Sequence, residues 1–389
     1  MNVLTLRREP KALWCGWYDD TVRPPRWQQN RARDGRARDQ GDATAEEIRE
    51  LRRALEGEAL GELPDAVGIH LRHGGDVLEA PTRVTRAVLA ALGEASAQAP
   101  LHIPPTVALA EACQQVLAGV PVWLVPETAF FSRLPERERV YGLDVETRRA
   151  LGVRRYGYHG LFHAAACELV RAQRLRRGDR GVARIVSICL APRPEVAAVR
   201  GDRPVMVTSG ATPLEGLPGM TSCGELDAGI VLWLAQELGA GPEQLDLLLS
   251  RKSGLSALVG EALSLGELLR SSSRRTRLAR EVFTYRLLLA CGAGSGALGG
   301  VDALVFSGPH AADGQHLASE LRSGLESALR QRSSPIDVWL LEDSLERLLA
   351  DATLEAVARE RPLGGANRGE MRRRTGRGPG PTSRREWDL

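Results

Sequence analysis

The stretch GVRRYGYHG, residues 152–160, lies near the middle of the chain, and strand and helix signals alternate on both sides of it. Before it, apolar runs at residues 66–71 and 120–125 predict buried strands, and residues 84–97 have helical spacing. After it, Val301–Phe306 is a strongly β-rich run. Alternating strands and helices predict an α/β protein.

The chain has 389 residues, which favours two domains because a single core rarely grows that large. We expect one domain over residues 1–153, a second over 154–338 and a further helix within 339–360. Residues 19–45 are rich in Pro, Arg, Gln and Asp and predict a long loop of the kind that stays disordered. The Gly-, Pro- and Arg-rich residues 361–389 predict a disordered tail.

Charge separates this tail from the rest. The tail has eight Arg against Glu370, Glu386 and Asp388, a net charge of +5, whereas the whole chain carries +3, so the remainder carries −2. Such a tail can bind phosphate backbones, but a solvated tail is the simpler interpretation, and nucleic acid is not an expected partner. The sequence contains no run of about 18 apolar residues, so it predicts no membrane span. The N-terminus lacks a signal-peptide pattern, and we therefore expect a cytoplasmic protein.

Six segments, in order and at similar spacing, resemble the acetokinase (acetate kinase) family over about residues 65–310. They are Pro100–Pro105 (PLHIPP), Pro126–Phe131 (PETAFF), Gly152–Gly160 with His163, Thr212–Leu217 (TPLEGL), Lys252–Leu255 (KSGL) and Gly299–Phe306 (GGVDALVF).

The resemblance implies a two-domain actin-like (ASKHA) kinase fold. Each domain is expected to have a mixed five-stranded sheet with helices, the active-site cleft lies between the domains, and the C-terminal helix returns to the first domain. The family transfers the γ-phosphoryl group of ATP to acetate or propionate with Mg²⁺, and its members commonly form homodimers.

The matched segments also carry the expected site residues. By resemblance, His159 stabilises the transferring phosphoryl group, His102 and Glu127 join it in catalysis, and His163 and Thr212 contact substrate or phosphate. Glu127 replaces the family's aspartate, which keeps the charge and changes the reach. A structural hydrogen-bonding role for His102 and His163 remains an equal alternative, and the i, i+4 spacing of His159 and His163 also suits a metal pair.

The phosphate-binding positions depart from the family. Arg7, Pro10, Ala12 and Trp14 stand where the family has Asn, two Ser and Lys, so Arg7 supplies charge without the usual geometry, or the hairpin is merely charged. His70 occupies the place of one expected arginine. Arg72, two residues on and on the same face of a strand, is a candidate to replace it.

Two further positions depart as well. Ser222 occupies the place of a second arginine, and a serine cannot form the bidentate pair that a guanidinium forms. On the nucleotide side only Gly308 of a glycine-rich loop remains in register. The metal-linked glutamate of the family matches Glu346, with Glu342 as the alternative.

Two functions from different classes follow. One is a weak or redirected carboxylate kinase that uses Mg²⁺ and ATP. The other is an inactive pseudokinase that serves as a binding or regulatory module, because several independent changes touch the same expected ligand.

Overall fold

The computed structural model describes residues 1–9, 12–19, 27–32, 43–56, 63–100, 102–329 and 335–360. Two mixed β-sheets organise these residues, and helices cover the sheets. Pro10 of the expected phosphate loop and the basic tail at 361–389 lie outside the described residues, so the predictions made for them stay predictions.

The first sheet has six strands in the order β3-β2-β1-β4-β6-β5. They are β1 (Asn2–Glu9), β2 (Ala12–Asp19), β3 (Trp27–Ala32), β4 (Ala66–Leu71), β5 (Thr82–Arg83) and β6 (Val122–Pro126). Strands β1, β4 and β6 run parallel, and β2, β3 and β5 pair antiparallel with their neighbours. The carboxyl ends of the parallel strands therefore meet at one edge of the sheet.

The second sheet has five strands in the order β11-β10-β7-β8-β9. They are β7 (Arg184–Cys189), β8 (Glu195–Arg200), β9 (Arg203–Val207), β10 (Ala303–Ser307) and β11 (Asp337–Leu340). As in the first sheet, an antiparallel meander (β7, β8, β9) continues into parallel strands (β7, β10, β11). The two sheets thus repeat one topology, and both are mixed, as the resemblance implies.

Thirteen α-helices lie in the described residues. They are α1 (Ala43–Glu56), α2 (Arg86–Glu94), α3 (Ile103–Val116), α4 (Glu136–Arg139), α5 (Val145–Leu151), α6 (Gly160–Arg176), α7 (Ala228–Leu238), α8 (Pro242–Arg251), α9 (Gly254–Val259), α10 (Leu265–Arg270), α11 (Arg277–Leu298), α12 (Gln315–Leu329) and α13 (Leu345–Glu360). None of them has the length and apolar character that a membrane span requires.

Helices α6 and α13 connect the two sheets. Helix α6 packs on β7 and β10 of the second sheet, and α13 packs on β1, β4 and β6 of the first. A Cβ at Gly68 of β4 would overlap the Thr353 side chain, so glycine there lets α13 approach the strand closely. The first turns of the two helices also contact each other through Phe162 and Leu348. The start of each helix is therefore fixed between the sheets.

Comparison with the sequence predictions confirms the α/β class and the two mixed sheets, the first with six strands instead of five. The loop expected over 19–45 is interrupted by β3 and ends where α1 begins. The sequence did not predict β3 because this edge strand is held by backbone pairing with β2 and does not need apolar side chains. The rest of that loop, residues 20–26 and 33–42, lies outside the described residues. The domain limits proposed at residues 153 and 338 stay predictions.

Candidate active site

The start of helix α6 lies next to two buried carboxylates. Glu127 follows β6 of the first sheet, and its Oε2 accepts the N–H of Leu161 at 3.0 Å. Glu195 opens β8 of the second sheet and accepts the N–H groups of Tyr158 and His159, each at 2.9 Å. The first N–H groups of a helix lack partners within the helix, and negative charge is favourable there. Both sheets therefore hold His159 in position.

His159 has one ring nitrogen bound and one free. Its Nε2 lies 3.0 Å from the carbonyl oxygen of Arg193, and a carbonyl can only accept, so Nε2 carries a hydrogen. Its Nδ1 makes no hydrogen bond to a described residue. The side chain is partly buried. One nitrogen of a firmly positioned ring is thus available to a ligand in the cleft.

His163 lies behind His159 in a closed polar cluster. Its ring is fully buried, with Nε2 donating to Glu195 Oε1 at 3.0 Å and Nδ1 2.7 Å from Ser187 Oγ. Burial opposes the charge of Glu195, but the hydrogen bond from His163 and the charges of His159 and His163 hold the pKa of Glu195 below its usual value. This burial favours the structural role for His163 that the sequence left open over contact with phosphate.

His70 and Glu127 form a second buried pair. His70 Nε2 donates to Glu127 Oε1 at 2.9 Å, and both side chains are almost fully buried. Burial opposes the charge of Glu127, yet the hydrogen bond and charge of His70, the charge of His159 and the N–H of Leu161 lower its pKa below the ordinary value. His70 therefore supports Glu127 and does not replace the guanidinium that the family has at this position.

A chain of ion pairs runs along the edge of the first sheet. Arg7 donates to Glu346 Oε1 from Nε at 2.9 Å and from Nη2 at 2.6 Å, and from Nη1 to Glu9 Oε1 at 2.7 Å. Arg72 pairs with the same Glu9 oxygen. Burial opposes the charge of Glu9, but the Arg72 and Arg7 charges lower the pKa of this carboxyl. Each predicted arginine of this edge therefore already has a carboxylate partner.

His102 precedes helix α3, and its ring makes no hydrogen bond to a described residue. Burial, followed by the charge of Arg72, lowers the pKa of His102 to about 4; Glu9 acts in the opposite direction, and Arg193 and His70 add to the lowering. The ring is therefore neutral at pH 7. It can accept or donate a hydrogen bond to a ligand but contributes no charge.

Two predicted site residues have local explanations. Thr212 is exposed, and its hydroxyl accepts the Leu214 N–H at 3.3 Å within a turn. Gly308 has φ +87°, and a Cβ there would lie 2.8 Å from the Leu190 carbonyl oxygen. Backbone packing alone requires this glycine. The nucleotide-binding role of Gly308 and the substrate role of Thr212 stay predictions.

Two residues of the site were not anticipated. Glu195 stands directly before the apolar run of β8, and a single acidic residue opening a fully buried strand is the signal that could have identified it. Arg193 lies between two prolines in the turn from β7 to β8, where the sequence indicated no site residue. Both surround His159, as the hydrogen bonds above show.

The residues present fit a magnesium ion that is held mainly by phosphate and water. Such an ion needs only one or two protein carboxylates. Glu346 could provide one, since its Oε2 makes no hydrogen bond to a described residue while Oε1 pairs with Arg7. Within the described ranges, no cluster of three or more His, Cys, Asp or Glu side chains could hold a metal by itself.

Comparisons with known proteins agree with this architecture. The family model described as "Acetokinase family" matches residues 23–327. The acetate kinase of Syntrophobacter fumaroxidans is 31% identical over 321 residues, which cover 77% of each chain. The acetate kinase of Halothermothrix orenii is 34% identical over 246 residues, 62% of this chain and 61% of that protein. This match thus spans less than two thirds of the relative's length.

Among solved structures, the acetate kinase of Porphyromonas gingivalis superposes with a TM-score of 0.77 at 22% identity, covering 92% of this chain and 99% of that chain. At this identity the superposition establishes the fold. The family model and the Syntrophobacter relative each cover more than two thirds of the sequence, and on that evidence the chain belongs to the acetokinase family.

Proposed function

We propose that this chain is an ATP-dependent phosphotransferase with a carboxyl group as acceptor, which converts a short-chain acid such as acetate or propionate into an acyl phosphate. Membership of the acetokinase family carries this proposal, because the relatives that cover most of the chain are acetate kinases. The hydrogen bonds that position His159, Glu127 and Glu346, and the burial that keeps His102 neutral, support it.

Phosphoryl transfer requires positioning and charge compensation more than covalent chemistry from the protein. His159 fits the central role, since its backbone is held by Glu195 and its Nδ1, when the ring carries both protons, can donate a hydrogen bond to a phosphoryl oxygen. His102, neutral at pH 7, is suited to orient the acceptor carboxylate through one hydrogen bond. Bound Mg-ATP would supply the phosphoryl group and neutralise part of its charge, with Glu346 as the protein carboxylate for the metal.

Glu127 acts through other residues in this proposal. Its two oxygens are occupied by His70 and by the Leu161 N–H, so it fixes the first turn of α6 and the neighbouring His159. It therefore serves as a positioning residue. Hydrogen bonds to an ionised group are the stronger kind, which suits a residue that has to hold a helix start in place.

The inactive alternative rested on the altered phosphate contacts. The family comparisons do not favour it over the enzyme. The decisive experiment is acyl-phosphate formation from Mg-ATP and short carboxylates, trapped with hydroxylamine. We expect product with the wild type and a decrease of kcat by about 10²–10³-fold in His159→Ala, the usual effect of removing one group that stabilises transition-state charge.

The matched control is His316→Ala, since His316 is an exposed histidine of α12. It should keep the wild-type rate. No product from the wild type, alongside an active acetate kinase run under the same conditions, would refute the proposal and revive the inactive alternative.

We also propose that the protein forms a homodimer, as its resemblance to the family implies. Helix α7 supports this, because none of its residues is buried and Leu232 and Trp233 are 73% and 59% exposed. An apolar helix face of this kind favours burial against a partner. Light scattering should give twice the chain mass, and Trp233→Glu should give the monomer mass; a monomeric wild type would contradict the dimer. The cytoplasmic location stays a prediction from the sequence.

A further inference from the structure

Arg193 is partly buried, and its side chain forms no ion pair or hydrogen bond with a described residue. Burial, followed by the charges of Arg251 and Arg72, lowers the pKa of this guanidinium; Asp246 acts weakly in the other direction. Arginine side chains that lose water normally gain a carboxylate or phosphate in exchange. The guanidinium of Arg193 instead experiences the positive charge of two further residues, Arg251 and Arg72.

One hydrogen bond and one close contact position the backbone at Arg193. The carbonyl of the preceding residue, Pro192, accepts the Met220 N–H at 2.9 Å, and the Arg193 Cα lies 3.4 Å from the Cβ position that Gly219 leaves empty. That same empty position borders the Ser222 hydroxyl. Arg193 is therefore adjacent to Ser222, where the family resemblance places an arginine and this chain has a side chain too short to reach a ligand.

Arg251 belongs to the same surface. The end of α8 packs on the loop at residues 219–223, where Cys223 N donates to the Leu249 carbonyl at 2.8 Å and Ser253 N to the Thr221 carbonyl at 3.1 Å. Arg251 is exposed, and it also forms no ion pair or hydrogen bond with a described residue. The turn of Arg193 and the end of α8 thus both contact the loop at residues 219–223, and the charge of Arg251 is among those that lower the pKa of Arg193.

The backbone of Arg193 contacts the candidate catalytic histidine. The Arg193 carbonyl accepts from His159 Nε2, so the residue borders the ring whose free nitrogen is the candidate contact for phosphate. Arg72, from the opposite sheet, is 41% exposed at its side chain, although it also pairs with Glu9. Arg193, whose backbone borders His159, is therefore subject to positive charge from Arg251 and from Arg72 of the first sheet.

We propose that Arg193 and Arg251, assisted by Arg72, form the binding site for a phosphate group and supply the positive charge that the chain lacks at His70 and Ser222. The inference rests on the proposed function, because it identifies which residues recognise the phosphate of the substrate. Guanidinium groups suit this task, since they offer paired donors to two phosphate oxygens. Arg193 makes the stronger contact because it is the less hydrated of the two.

The test is calorimetric titration of the full chain with ATP and, separately, with inorganic phosphate, without Mg²⁺ so that no metal contributes. We expect Arg193→Ala to weaken ATP binding about 10- to 100-fold and Arg251→Ala about 3- to 10-fold, the range for losing a hydrogen-bonded charge. Arg193→Lys should recover part of the affinity. Arg322→Ala, at an exposed arginine of α12, is the matched control and should bind like the wild type.

The two probes separate the source of the phosphate. Weakening of both by Arg193→Ala indicates a general phosphate site, and weakening of ATP alone indicates the phosphate chain of a nucleotide; each result supports the proposal. Wild-type affinity for ATP in Arg193→Ala would overturn it, as would a wild type that binds neither probe. If thermal melting shows that Arg193→Ala does not fold, Arg193→Gln is judged by the same criteria.

Failure of this inference is distinguishable from failure of the proposed function. If the wild type forms acyl phosphate but Arg193→Ala keeps the wild-type KM for ATP, the proposed function stands and the Arg193 phosphate site is refuted. If Arg193→Ala loses ATP affinity but the wild type forms no acyl phosphate, the phosphate site stands and the proposed function is refuted.

Discussion

The two edges that line the cleft use their arginines in opposite ways. On the first-sheet edge, Arg7 is paired with Glu346 and Arg72 with Glu9. On the second-sheet edge, by which we mean the turn from β7 to β8 and the adjoining end of α8, Arg193 and Arg251 have no such partner among the described residues. The comparison shows that the presence of an arginine near an expected phosphate is not sufficient. An arginine can attract a ligand only to the extent that its charge is not already compensated.

A physical reason accounts for the difference. A phosphate that binds Arg7 or Arg72 has to compete with a carboxylate that is already in place and charge-matched, so the net gain is small. A phosphate that binds Arg193 relieves repulsion among cations and replaces water that burial has removed. The first-sheet edge therefore contributes mainly structure, and the second-sheet edge is the better anion receptor.

The largest expected effect is on the free energy of unfolding, to which the buried carboxylates Glu195 and Glu127 contribute. Glu195 accepts hydrogen bonds from His163 and from two backbone N–H groups, whereas Glu127 accepts one from His70 and one from Leu161. Glu195→Ala should lower the free energy of unfolding by about 3–5 kcal/mol, the usual cost of leaving a buried pair without one partner. Glu127→Ala should cost about 1–2 kcal/mol less, because one fewer hydrogen bond is lost.

Urea denaturation measures both values. Glu355→Ala, at an exposed glutamate of α13, is the control and should change stability by less than about 0.5 kcal/mol. An equal or larger loss for Glu127→Ala would show that the second-sheet edge is not the more firmly supported of the two.

The next effect is a pH dependence of stability. The pKa values of Glu195 and Glu127 are lowered in the folded state, so the folded protein releases these protons more readily than the unfolded chain does. The two carboxylates therefore stabilise the folded state fully when the pH is above the ordinary carboxyl pKa of about 4.3, and this stabilisation is lost as the pH falls below that value. Melting temperatures measured between pH 7 and pH 3 should fall steeply in the wild type and less steeply in Glu195→Gln. Parallel curves for the two proteins would contradict this origin.

The smallest expected effect is a gain in ATP affinity instead of a loss. Glu9→Gln removes the carboxylate shared by Arg7 and Arg72, so it should release charge toward the cleft and tighten ATP binding by about 2- to 5-fold, as expected for a partly exposed ion pair. Calorimetric titration measures the change, with Glu79→Gln, at an exposed glutamate, as the control. Unchanged or weaker binding in Glu9→Gln would show that the pairing on the first-sheet edge does not limit anion binding.

The sequence predicted the fold well because the relevant signals are local. The α/β class followed from apolar runs and helical spacing, and β4 and α13 have nearly the predicted limits. It missed β3 because that strand consists mainly of polar residues, and its pairing with β2 depends on backbone groups that carry no sequence signal. It missed β8 as well, although its apolar run follows Glu195 directly.

The site was harder to predict because its contacts are distant in sequence. Arg7 and Glu346 are 339 positions apart, and no spacing rule indicates that two predicted ligand-binding residues are bound to each other. His163 was chosen by resemblance, but its burial depends on the Glu195 carboxylate 32 positions further on. Arg193 was not predicted as a site residue, because whether an arginine is paired depends on the folded surroundings.

The contact between the first turns of α6 and α13 links the two edges mechanically. Helix α6 packs on the second sheet and α13 on the first, and Phe162 and Leu348 belong to the buried cluster where the two helices meet. Glu127 and Glu195 also hold the start of α6 from both sheets, so a change in the angle between the sheets would strain this junction. A ligand that bridges Arg193 and Arg72 would therefore act on a junction that already couples the two sheets.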